Sequence, residues 1–488
     1  MTLSLELRSP ARLLSLAAVL GASLLCCQTA LAQTTAPQPP EDQPPTRRLT
    51  LYPAAEPRPA LKYQLLPGLL DRKPGNAAVL YNKIGLMFRG GPEFTAEQEK
   101  VSQWGDDSLP LEKFPREDAR TIVEHWRQVL DDLEYASRRE TCDWELPFRE
   151  RNPITMSLPD AQESRAYARL LRLQARLQVA DGDLAGAIAS LRTGYALARH
   201  VAQGETFVNA LIGMAICGHM NAQLEELVSQ PGAPNMYWAV ASLPHPFIGL
   251  RVSTEAEHSF VYLMYPELRD IESQRHPPEY WSRLLDKLAT DVAGWNDDAW
   301  KDYSKLSLAA RTAQRYPEAK RRLIESGRSP EEVAAMPVAQ VVLLYTMQIY
   351  DESRDDLFKW FALPYPEAKA GFDKFQADWT EVRDREIVPL FSVLAPATGA
   401  VANASARHER SFAMLRTIEA LRMYAAAHDG RGPKQLEDIT EVPVPSDPLT
   451  GNSFIYRADG DAAVLEAPLP GGMEQRHYGL RYEITFAR

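Results

Sequence analysis

Residues 116–133 read Arg116-Glu117-Asp118-Ala119-Arg120-Thr121-Ile122-Val123-Glu124-His125-Trp126-Arg127-Gln128-Val129-Leu130-Asp131-Asp132-Leu133. Ala119, Ile122, Val123, Trp126, Val129, Leu130 and Leu133 recur at i, i+3, i+4 and i+7, with charged residues between them. This period predicts an amphipathic helix, apolar on one flank and charged on the other. The same period extends in both directions. It predicts a helix over 76–87 and three or four helices over 164–229. Further helices are expected at 255–274, 279–293, 298–314, 316–325, 329–351, 353–361, 366–384 and 399–428. Few segments before residue 450 alternate with period two. The expected fold is mainly α: a multi-helix body with a small α+β module at its C-terminal end.

The N-terminal residues follow other rules. Arg8 and Arg12 precede an apolar run from Leu13 to Cys27, and Ala30-Leu31-Ala32 has the small-x-small pattern of a cleavage site. Residues 1–32 therefore read as a signal peptide. The run is about 15 residues, short of the roughly 20 that a spanning helix needs. Residues 33–49 are proline-rich and polar and read as a disordered linker. Pro53, Pro57, Pro59 and Pro67 argue against a helix over 50–67, so extended chain with an edge strand is expected there. The helical body is expected over 50–385 and the C-terminal module over 386–488. The expected location is outside the cytoplasm, periplasmic or extracellular after cleavage near Ala32.

The chain has 54 Lys and Arg against 65 Asp and Glu, a net charge of −11 spread over its length. That balance argues against nucleic acid and against anionic membrane surfaces as partners, both of which require basic patches. No membrane span is expected in the mature chain. Of four cysteines, Cys26 and Cys27 leave with the signal peptide. Cys142 and Cys217 remain, and in an oxidising compartment they are candidates for one disulfide.

Two body segments carry resemblances. Ala168-Arg169-Leu170-Leu171 and Ala175, the turn Gly182-Asp183, then Ala187-Ile188, Leu191 and Gly194 resemble a tetratricopeptide helix pair near 168–201. Gln174, Gln178 and Arg199 depart from that pattern. The stretch is either one helical hairpin within an α-domain or part of a divergent repeat array, and an array would imply a protein-binding surface. Leu51-Tyr52-Pro53 with Leu61-Lys62-Tyr63, together with Gly232 to Pro246, resembles an uncharacterised family of exported bacterial proteins. That resemblance implies a compartment and no activity.

The tail carries a third. A helix from Phe412 to His428 ends at Asp429-Gly430. Pro433, Leu436, Asp447-Pro448-Leu449-Thr450-Gly451 and Phe454-Ile455-Tyr456 follow. Ser453–Tyr456 and Ala462–Ala467 read as a hairpin about Asp459-Gly460, and Tyr482–Phe486 as a third strand. The order resembles a pseudopilin head. The chain lacks a pilin leader, and Pro389, Pro396, Gly399 and Asn403 interrupt the apolar run of 387–406. That run is expected to be a packed or kinked helix. Some pseudopilin heads hold calcium, so Asp447, Asp459 and Asp461 are candidate oxygen ligands. Asp447 also suits a turn cap, and Asp459-Gly460 a hairpin loop.

Motifs of common catalytic chemistry are missing. Glu124-His125 and Glu257-His258 lack the second histidine of His-Glu-x-x-His, and there is no Gly-x-Ser-x-Gly elbow or phosphate-binding glycine loop. No cofactor is expected. The loop Cys142-Asp143-Trp144-Glu145-Leu146-Pro147-Phe148-Arg149-Glu150 concentrates carboxylates beside aromatics, which makes Asp143, Glu145 and Glu150 the candidate catalytic acids of a hydrolase. Such acids also serve as caps and ion pairs. The leading expectation is a non-enzymatic extracytoplasmic binding or scaffold protein with a protein partner in the cell envelope; the alternative is a periplasmic hydrolase acting through the 142–150 loop.

Overall fold

The computed structural model describes residues 45–88, 92–106, 109–147, 156, 158–273, 275–295, 304–469 and 479–487. The expected signal peptide and residues 33–44 of the expected linker lie outside them. The described residues hold 15 α-helices and six short strands. In chain order the first helices are α1 (Ala77–Phe88), α2 (Pro92–Trp104), α3 (Arg116–His125), α4 (Arg127–Ser137), α5 (Pro159–Ala180), α6 (Leu184–Val201), α7 (Phe207–Val228) and α8 (Tyr237–Ala241). Then come α9 (Arg251–Met264), α10 (Pro278–Trp295), α11 (Lys305–Glu325), α12 (Pro330–Ala335), α13 (Val338–Phe358), α14 (Tyr365–Arg385) and α15 (Leu390–Ala427). The strands are β1 (Thr46–Leu51), β2 (Lys73–Asn76), β3 (Arg139–Thr141), β4 (Ile455–Asp459), β5 (Ala462–Ala467) and β6 (Leu480–Phe486).

The apolar stripe of 116–133 is buried as its spacing requires: Ala119, Ile122 and Val123 on α3, then Val129, Leu130 and Leu133 on α4. The rod bends at Trp126, where ψ opens to 16°. The Trp126 indole donates to Glu97 Oε2 at 2.8 Å, tying the bend to α2. Along the rod, α3 packs on α5 and α4 on α6, while α1 packs on α4.

α5 and α6 form the expected hairpin. Gly182 takes the turn at φ +78°, and the Asp183 side chain caps α6 by accepting from Gly186 N–H at 2.9 Å. Gln178 and Ser190 hydrogen-bond across the pair at 2.7 Å, which gives the departure from the tetratricopeptide pattern a local role. α7 packs on both helices of the hairpin and is itself covered by α15. The stack is thus closed by the C-terminal helix rather than continued by another such pair among the described residues.

Two hydrophobic cores result. The first joins residues from Leu51 to Ile248 with residues from Val401 to Phe486. The second is built from Phe260 to Ala395. The expected division of body and C-terminal module at 385/386 therefore does not coincide with the division of the cores. The reason is α15, a single helix of 38 residues. Leu390, Phe391 and Ala395 belong to the second core, and Phe412, Leu415, Ile418 and Leu421 to the first. The apolar run of 387–406 is packed, as expected, and no helix among the described residues is long and apolar enough to cross a membrane.

The C-terminal sheet has the order β1-β6-β5-β4, with β4, β5 and β6 antiparallel and β1 parallel to β6. The expected edge strand is present, but it begins at Thr46, inside the expected linker, which is thereby corrected. Leu49 and Leu51 alternate with exposed neighbours, and that period-two pattern selects a strand once β6 offers a free edge. Arg47 Nη1 and Tyr482 Oη donate to the same buried carboxylate, Glu225, at 2.5 and 2.7 Å, which latches the sheet to α7.

Candidate functional site

The loop from Cys142 is positioned by the parallel pair β2–β3. Asn76 holds it through both backbone groups of one residue. Its Oδ1 accepts from Asp143 N–H at 2.9 Å, and its Nδ2 donates to Asp143 O at 2.7 Å. Asp143 Oδ1 then accepts from Glu145 N–H at 2.9 Å, which supports Glu145 at φ +48°. Asp143 is therefore placed as a turn cap, with Glu145 exposed beside it. Glu150 lies outside the described residues. Behind the loop, the Trp144 indole donates to His200 O at 2.8 Å and stacks on Tyr81, whose hydroxyl is 2.9 Å from His200 Nδ1. Burial lowers His200 to about 4, so this imidazole is neutral at physiological pH.

The two remaining cysteines are free and buried, so the candidate disulfide is not formed. They sit in different surroundings. Cys142 lies at the foot of α1, where burial and then Asp143 push its thiol pKa up. Cys217 is inside α7, 3.9 Å from Asn221 Oδ1.

The candidate calcium ligands do not converge either. Both Asp447 carboxylate oxygens are occupied. Arg410 donates to Oδ1 and Oδ2 at 2.9 and 2.6 Å, Leu449 N–H to Oδ1 at 2.9 Å and the Thr450 hydroxyl to Oδ2 at 2.9 Å. A guanidinium thus stands where a cation would be needed, and Asp447 caps the turn. Asp459 and Asp461 flank the exposed hairpin turn at Gly460. Among the described residues no group of three or more His, Cys, Asp and Glu could hold a metal ion.

A cavity of about 610 Å³ lies between the α6–α7 turn and α9. Val252, Ala256, Leu263 and Pro266 give it an apolar wall, Ser259 adds a hydroxyl, and Glu205, Glu255 and Arg269 bring charge. The charged three are exposed. Arg269 Nε donates to Tyr262 O at 3.2 Å, which holds the guanidinium base at the end of α9.

The other flank of α9 fixes the cavity wall in place. Tyr262 Oη donates to Asp351 Oδ2 at 2.6 Å, and His258 Nε2 is 2.9 Å from Asp355 Oδ1. Arg354 reaches Asp351 at 2.8 Å and Asp355 at 2.9 Å, and it packs over the rings of Tyr262 and Tyr350. Glu257 accepts from Phe207 N–H at 3.1 Å, joining α9 to the start of α7; burial raises it to about 7 against the pull of that N–H. Sequence reasoning noted Glu257-His258 only as half of a zinc motif. The usable signal was Asp351, Arg354 and Asp355 at i, i+3 and i+4 in the polar last turns of a helix whose earlier turns are mostly apolar.

No family model, no curated protein and no solved structure matches this chain.

Proposed function

We propose that the protein is a non-enzymatic extracytoplasmic binding protein that takes an extended segment of a protein partner in the cell envelope. The observation that carries this reading is the cavity at α9. Its apolar wall suits one or two aliphatic side chains, and its mixed-charge surround suits the acidic and basic residues beside them. The wall is pre-formed, since α9 is locked to α13 and α7 from behind, so little ordering is required on binding. The signal-like residues 1–32 support export. The helix α15 and the sheet β4–β6 support reading the C-terminal end as a pseudopilin-like head used for packing. A hydrolase is less well supported, because Asp143 caps a turn.

The test is crosslinking and mass spectrometry on the native exported protein, compared with Val252→Glu. Val252 is 52% exposed, so the charge enters the cavity without disturbing a core. Crosslinks from the α9 region to one partner, lost in the variant, are expected. Crosslinks unchanged by the variant, or an uncleaved cytoplasmic chain, would overturn the proposal.

A further inference from the structure

Residues 61–87 present a surface unlike the rest of the described chain. Leu61, Leu69, Leu70, Val79, Leu86 and Met87 are exposed, with Leu69 at 77% and Leu70 at 95%. Six of the twelve exposed large apolar side chains among the described residues fall in this short stretch. Its charges are equally one-sided. Lys62, Arg72, Lys73 and Lys83 are exposed, while the one carboxylate, Asp71, is partly buried and lies 3.7 Å from Arg192. The chain as a whole carries −11.

The leucines are held out by a closed turn. Asp71 N–H and Arg72 N–H both donate to Gly68 O, at 3.0 and 3.2 Å, and Arg72 Nε donates to Pro67 O at 3.2 Å. Leu69 and Leu70 form its apex. Strand β2 leads from this turn into α1, where Asn76 Oδ1 accepts from Ala78 N–H at 3.1 Å. On α1, Ala78, Tyr81 and Ile84 face the core. Val79, Lys83 and Leu86 share the opposite face at i, i+4 and i+7. Beside β2, Arg139 lies over the ring of Tyr135, itself 49% exposed. Glu140 on β3, and Asp143 and Glu145 on the loop held by Asn76, are exposed acids at the edge of this flank, while Arg72 and Lys73 stand beside the leucines.

An ordered turn that lifts two leucines into water gains nothing for the fold. Set among cations, with an apolar and basic helix face following, it matches the chemistry of a lipid interface: aliphatic tips for the acyl boundary, ammonium and guanidinium groups for phosphates. We propose that the 61–87 face docks on an anionic phospholipid surface. Leu69 and Leu70 enter the headgroup–acyl boundary, and Arg72, Lys73 and Lys83 meet the phosphates. The site is separate from the cavity at α9.

The test is sedimentation of the full chain with vesicles of phosphatidylglycerol and phosphatidylcholine, or of phosphatidylcholine alone. The chain is expected to pellet with the mixed vesicles and several-fold less with phosphatidylcholine. Leu69→Ser with Leu70→Ser should weaken binding to the mixed vesicles by roughly tenfold or more. Arg72→Glu with Lys73→Glu should remove the preference for the anionic lipid. All four positions are exposed, and circular dichroism melting checks that each variant folds. The proposal is overturned if the wild-type chain stays in the supernatant, or if the leucine variant pellets as the wild type does. It is equally overturned if light scattering shows a dimer that the leucine variant disperses while vesicles bind neither, because the face then joins two copies of the chain.

Discussion

Three buried ionisable groups, Glu386, His200 and His408, and the half-buried Glu257 pull stability in opposite directions as pH changes. Burial raises Glu257 and Glu386 from 4.5 to about 7 and lowers His200 and His408 from 6.5 to about 4. For each glutamate the folded state holds its proton after the unfolded chain has released it. Its contribution is therefore complete below about pH 4.5 and is lost as pH rises toward 7. For each histidine the unfolded chain takes a proton that the folded state refuses, so stability is lost as pH falls from 6.5 toward 4. Glu386 is 4% exposed and accepts from Phe391 N–H at 2.7 Å. Replacing it with Gln removes its slope. Measured by urea unfolding, Glu386→Gln should gain on the wild type by on the order of 3 kcal/mol between about pH 4.5 and about pH 7.5. A constant difference would show that Glu386 titrates normally. Glu386, His200 and His408 did not stand out in the sequence, and Glu257 did so only as half of a zinc motif, because desolvation depends on what folds over a residue. Asp143 did stand out, through its tryptophan and acidic neighbours, and its observed role is the local one of a turn cap.

Among the elements, the α5–α6 hairpin was the most legible, since Asp181-Gly182-Asp183 and the small residues on each flank act within a few turns of helix. The contact between α6 and α7 extends that logic. A Cβ on Gly213 would lie 2.7 Å from Ala198 O and 2.8 Å from Ala202 Cβ, so the backbones themselves are in the way. At Gly194 it would meet the Met220 side chain, which can rotate. Gly213→Ala is therefore expected to cost about 1–2 kcal/mol, after the roughly 1 kcal/mol that alanine gains in a helix, and Gly194→Ala less. Urea midpoints of the two variants decide the order. A larger loss at Gly194 would mean that Met220 is as fixed as a backbone. The sheet was legible only in part. The β4–β5 hairpin announced itself through Asp459-Gly460, whereas β1 became a strand because β6, more than 400 residues later, supplied an edge.

At the scale of the molecule, α15 ties two cores together. Its first turns pack with Ile387 and Val388 in the second core, and its later turns lie on α7 and α8 in the first. The same helix supplies the buried pair Glu419–Arg422, 2.8 Å apart. Arg422 donates to Tyr52 O at 3.1 Å, Pro234 O at 3.1 Å and Ala233 O at 2.7 Å, while Glu419 accepts from Met236 N–H at 2.5 Å. Three segments that stood out separately in the sequence, around Tyr52, 232–237 and 415–422, thus meet at one ion pair. Ala400 lies on α15 between the two groups of core residues. Ala400→Pro is expected to cost about 3 kcal/mol and to separate a single calorimetric transition into two. One transition at lower temperature would instead mean that contacts outside α15, among them α9 on α7 and Phe207 on Phe358, couple the cores.

By itself the sequence determined what acts over short range: the helical period, the turns at Gly182 and Gly460, the proline-imposed extension after residue 50 and the packed nature of 387–406. These depend on spacing and on φ preferences, and neither needs a distant partner. The tertiary structure decided where the cores divide, that Cys142 and Cys217 stay apart, that Arg410 occupies Asp447, and which charges and leucines of 61–87 are left exposed. Each of those outcomes depends on residues brought together from far along the chain. A net charge of −11 could not reveal a local basic face, because exposed charges act over about a Debye length, roughly 8 Å, and not over the whole molecule.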